Sequence, residues 1–139
     1  IMASILKVDD LRGNTAAGNI TITSEGGAAT MQLQQGVAKA WVFTTDRTSY
    51  VPTRSLNVSS MTDNGTGRPE TNFTNSFNDA NIVGGFDGGN NRVVGSYTTD
   101  GGITTLTFAH LIYTVTSGVI ADPNTGASGF GASYHGDLA

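Results

Sequence analysis

The residues that could do chemistry in this chain are few. His110 and His135 are its only imidazoles and it has no cysteine, which excludes thiolate nucleophiles, thiolate metal sites and disulfides. A metal held by these histidines needs a carboxylate as further ligand, or the same histidine from other copies on a three-fold axis. The plainer reading makes His110, between Phe108 and Leu111, a partly buried, hydrogen-bonded strand residue. His135, beside Gly136, is then an exposed terminal one. The stretches DGGNN at 87–91 and DPNTG at 122–126 begin like calcium loops. Neither is followed by the acid that closes an EF-hand, and Asx turns account for both. Asp9, Asp10 and Asp63 are carboxylates of the type that work in pairs on glycosidic bonds, but no spacing sets two of them across a sugar.

Neither GxxxxGK[ST] nor GxSxG occurs, and the glycine pairs at 26–27, 84–85, 88–89 and 101–102 open no helical pattern. Asn19, Asn57, Asn64 and Asn72 each start an Asn-x-Ser/Thr triplet, which an Asn- and Thr-rich composition produces by itself. We therefore expect no catalytic residue, no cofactor and no metal. What remains is Trp41, the tyrosines 50, 97, 113 and 134, and many Asn, Ser and Thr. Rings that stack and amides that adapt suit contact with a glycan or a protein surface.

The elements that must carry these residues are strands. Of 139 residues 19 are glycine and only 13% are charged, about half the usual charged share. Branched Thr favours strands, while Gly, Asn and Asp supply the positive φ of tight turns. The net charge of -4, from 7 basic and 11 acidic residues, gives no electrostatic footprint for nucleic acid. No apolar run is long enough to enter a membrane, and the start IMASILKVDD lacks the basic and apolar regions of a signal peptide.

Residues 1–36 carry short alternating runs, with Ile20, Ile22, Met31 and Leu33 on one face and Thr21, Thr23, Gln32 and Gln34 on the other. They predict a thin β ribbon that needs a partner surface. From 37 to 139 the runs KAWVFTT, SLNVSSM, ETNFTNSF, NIVGGF, RVVGSYTT and GITTLTFAHLIYTV predict a head of longer strands. Asn64–Gly65 marks a hairpin, FDGGNN and TDGG mark connectors, and Phe130 and Tyr134 sit where a last strand is possible. The fold expected is all-β: an N-terminal ribbon or arm, then an antiparallel β-sandwich, jelly-roll-like, of nine or ten strands in total. Trp41, Phe43, Phe73 and Phe108 are its expected core.

The phrase SILKVDDLRGNTAAGNITI at the start resembles the N-terminal phrase of virion structural proteins of tailed bacteriophages, marine and cyanobacterial ones especially. QGVAKAWVFTT followed by RSLNVSSMTDNGTGRPETNFTNSF resembles a module at the ends of phage tail fibres and related appendages. Together they cover most of residues 4–86. Gly67-Arg68-Pro69-Glu70-Thr71 stands where that module carries an aromatic, so the strand there is expected to begin later or to lie at an edge.

The resemblance implies a homotrimeric component of a phage particle, made in the host cytoplasm and exposed on the virion surface. Three copies of Ile5, Leu6, Val8, Ile20, Ile22, Met31 and Leu33 would share one attachment core. Expected partners are other virion proteins, tail or major capsid protein, and a host surface glycan or protein. A fibre or spike touching the host is the leading expectation and a capsid decoration protein the alternative. An enzyme degrading polysaccharide and a secreted carbohydrate-binding module fit less well.

Overall fold

The computed structural model describes residues 7–14, 20–23, 30–33, 37–46, 48–89, 91–97, 102–114, 117–122 and 129–139. The chain divides into two compact units, Ile1–Val37 and Ala38–Ala139. In the first, β1 (Thr21–Thr23) pairs antiparallel with β2 (Thr30–Gln32), Ile22 opposite Met31 and Thr21 opposite Gln32. The Leu33 N–H donates to Ile20 O at 2.8 Å and extends the ribbon by one pair. Of the expected attachment core, Val8 and Ile22 are exposed and Ile20 and Leu33 half-buried. Ile5, Leu6 and the Met31 side chain lie outside the described residues.

The second unit is an antiparallel β-sandwich. One sheet runs β4 (Arg54–Leu56), β3 (Ala40–Thr44), β10 (Phe130–His135), β7 (Val83–Asp87). The other runs β5 (Val58–Asp63), β6 (Pro69–Phe73), β9 (Thr107–Thr114), β8 (Arg92–Ser96). Between them lie Val42, Phe73, Phe77, Phe108, Ile112, Phe130 and Tyr134, all buried. The C-terminal segment thus supplies an interior strand, β10, flanked by β3 and β7.

Phe73 and Phe108 are core residues as expected, whereas Trp41 and Phe43 are not. Both rings stand on the outer face of β3, each 37% exposed, and Ala40, Val42 and Thr44 point inward. The reason is size. β10 puts Phe130 and Tyr134 inward, directly beside Thr44 and Ala40, so the inner positions of β3 must be small. The alternation was legible, but it does not say which face is inside.

SLNVSSM is two strands rather than one. Asn57 breaks it with φ +54°, sending Arg54–Leu56 into one sheet and Val58–Asp63 into the other. Asn tolerates this left-handed conformation better than most residues. Its side chain also fixes the corner: Oδ1 accepts from the Asn75 N–H at 2.7 Å and from Asn75 Nδ2 at 3.0 Å, and Nδ2 donates to Asn75 O at 3.3 Å. Asn57→Ala is expected to cost about 1–3 kcal/mol in denaturant melts, from strain at positive φ plus the lost hydrogen bonds to Asn75. Asn57→Gly, which relieves the strain alone, should cost less.

The β5–β6 hairpin closes farther along than Asn64–Gly65. Arg68 N–H donates to Gly65 O at 2.9 Å, with Gly67 at φ +64° where an added Cβ would meet Ala121 O and Ile120 Cγ2, both at 2.8 Å. Pro69 opens β6, which is interior to its sheet and not an edge; as first residue it forgoes no ladder bond to β9, whose pairing begins at Glu70. The DGGNN connector joins strands of opposite sheets, so it is no hairpin within one sheet. The last long run shortens to Thr107–Thr114, because Thr104 Oγ1 accepts the N–H groups of Leu106 and Thr107 in a turn.

Candidate association face

His110 is fully buried rather than partly so. Tyr134 OH lies 2.8 Å from His110 Nε2 and 2.6 Å from Thr71 Oγ1, and Thr71 Oγ1 lies 3.3 Å from Nε2. Phe108 stacks on the imidazole at 5.0 Å, and Phe86 and Phe130 meet it edge-on at 4.9 and 5.0 Å. Nδ1 has no partner. A proton on Nε2, donated to Tyr134, leaves only a lone pair at Nδ1, which costs less than a buried N–H without an acceptor. Burial pushes the imidazole pKa down to about 3 and the Tyr134 hydroxyl up. The trio has the residue types of an acid–base relay, yet all three side chains are sealed between the sheets, away from any substrate.

The carboxylates singled out by type are engaged in turns and ties. Asp63 accepts Gly65 N–H at 2.9 Å and Asp87 accepts Gly89 N–H at 2.8 Å, both Asx turns. Asp10 pairs with Arg12 at 2.5 Å. Asp122, the first residue of DPNTG, accepts Gly67 N–H at 2.7 Å and Tyr50 OH at 3.2 Å, and its carbonyl accepts Arg92 Nε at 2.8 Å. It ties three segments at one end of the sandwich; the rest of DPNTG lies outside the described residues. Burial, reinforced by Asp122, pushes the Tyr50 hydroxyl pKa up. Among the described residues no three His, Asp or Glu side chains are grouped to hold a metal.

The outer faces of the two sheets differ. On β5 and β6 the face is hydroxyl and amide: Asn72 Nδ2 donates to Ser60 Oγ at 3.1 Å and to Thr62 Oγ1 at 3.0 Å. On the β4–β3–β10–β7 sheet, rings stand beside small residues in two cross-strand rows. One reads Leu56, Trp41, Ser133, Gly85; the other reads Arg54, Phe43, Gly131, Asp87. Leu56 is 49% exposed. An added Cβ at Gly131 would make ordinary contacts with Asp87 Cβ and Phe43 Cδ2, both at 3.9 Å, so a side chain fits there without a clash.

No known family, curated protein or solved structure matches the chain.

This face is what the types and spacing of the sequence did not bring together. Sequence marks Trp41, but as core, and Asp87 only as the start of a calcium-like stretch; it marks none of Arg54, Leu56, Gly131 and Ser133. The usable signal was the inverse size alternation of β3 and β10, large-out on one and small-out on the other. His135, expected to be an exposed terminal residue, is the half-buried last residue of β10, opposite Val83. Of the tyrosines read as contact residues, Tyr50 and Tyr134 are buried, and Tyr97 lies under Arg68, whose guanidinium carbon is 5.8 Å from the ring centroid. Tyr113 remains exposed. No helix among the described residues is long and apolar enough to cross a membrane.

Proposed function

We propose that this protein is a structural component of a tailed-phage particle, a surface-exposed homotrimeric fibre or spike in which the ribbon attaches and the β-sandwich head makes contacts. The observation that carries the reading is where apolar side chains are left outside. In the ribbon unit Val8, Leu11 and Ile22 are 53%, 50% and 43% exposed, and in the head Trp41, Phe43 and Leu56 share one sheet face. Exposed apolar surface gathered in this way suits association. The resemblance of residues 4–86 to virion proteins supplies the particle, and the hydroxyl-rich β5–β6 part of the opposite sheet suits a solvated outer surface. Detection of the chain in purified particles, at a fixed ratio to the major capsid protein, tests the proposal. Hundreds of copies per particle would make it a capsid decoration protein.

A further inference from the structure

We propose that the outer face of the β4–β3–β10–β7 sheet pairs with the same face of a second copy, about a two-fold axis parallel to the strands between β3 and β10. The inference rests on reading this face as an association surface, and it names the occupant.

The rows are self-complementary. Such an axis keeps each row in register and reverses its order, placing β4 over the second copy's β7 and β3 over its β10. Leu56 then meets Gly85, Trp41 meets Ser133, Phe43 meets Gly131 and Arg54 meets Asp87, each contact occurring twice, as an isologous interface requires. In these two rows each large side chain finds a small one and the cation finds the anion; Val83, 70% exposed beside His135 in the next row, lies outside the pairing. Facing sheets pack about 10 Å apart, a spacing filled well when large and small residues alternate across the gap. Gly131 carries no side chain, and an added Cβ there would meet nothing nearer than 3.9 Å, which leaves room for a ring of the second copy. With Arg54 and Asp87 at opposite ends of one row, a copy placed without the reversal would set like charges together.

The test is sedimentation equilibrium of the full chain over a wide concentration range, read as mass relative to Gly131→Trp, whose added ring projects into the space that Phe43 of the second copy must occupy. Wild type should show twice the mass of G131W at equal concentration. Arg54→Asp and Asp87→Arg should each weaken the doubling at least tenfold by creating like-charge contacts. The double variant R54D/D87R should restore it, which a merely structural role for either residue would not do. Equal masses for wild type and G131W overturn the proposal, as does a double variant no better than either single one. If G131W melts early, the charge-swap rescue decides alone. Where the ribbon joins three chains, head pairs link two such trimers, so wild type is again twice the mass of G131W; presence in phage particles does not enter the measurement.

Discussion

Lowering the pH from 6.5 toward 3 should shift the head's folding equilibrium toward the unfolded state by about tenfold for each pH unit, and His110→Phe should remove most of that dependence. The cause is the place of His110 between the sheets. Its hydrogen-bond and ring partners are Thr71, Tyr134, Phe86, Phe108 and Phe130, none of which carries a charge. The folded imidazole therefore stays neutral until about pH 3, while the unfolded one gains a proton below its ordinary 6.5. Between those values the unfolded state holds more protons, so stability falls as pH falls; above 6.5 the group adds no slope. Asp46 acts in a lower window. Its carboxylate accepts the N–H groups of Thr48 and Ser49 and titrates below the usual 3.8, so its contribution is lost only under more acid conditions. Phenylalanine at 110 keeps a ring among rings and leaves the Thr71–Tyr134 hydrogen bond in place. Denaturant midpoints across this range check the expectation, and an unaltered slope in H110F would contradict it.

Phe130→Ala should cost about 3–5 kcal/mol in the same melts, a fifth or more of the stability of an ordinary domain. Phe130 is fully buried, meeting Tyr50 at 6.5 Å and His110 at 5.0 Å in edge-on contacts. Its strand neighbour Thr44 is held by its bond to Val51 O at 2.6 Å and does not move into the space. In the unpaired chain, as in the G131W background, Trp41→Ala, a larger truncation in volume, should cost only about 1 kcal/mol, the scale of a cross-strand pair, since its ring lies on the outer face beside Leu56 and Ser133. Equal costs for the two would mean that the assignment of inner and outer faces of β3 is wrong.

That contrast also marks how far the sequence could be read. The all-β composition, most strand positions and the burial of Phe73 and Phe108 followed from alternation and turn residues, which are local properties. The face of β3 did not, because choosing it requires knowing that the strand beside it is β10, some ninety residues away in the chain. Asn57 was visible only as part of a strand-like run, because one residue at positive φ leaves no trace in hydrophobic periodicity. His110 was recognised as a strand histidine with a hydrogen bond. Its sealed environment comes from rings on β7, β9 and β10 and the Thr71 hydroxyl on β6, which meet only in the folded chain. The association face had no sequence motif, being assembled from residues 54–56, 41–43, 131–133 and 85–87.

The measurement that bears most directly on the central claim is the copy number of this chain in purified virions, by quantitative mass spectrometry against the major capsid protein. The account predicts a reproducible ratio that survives repeated purification, a few to a few dozen copies for a tail-borne fibre or spike. A chain abundant in infected cells but absent from particles would contradict it.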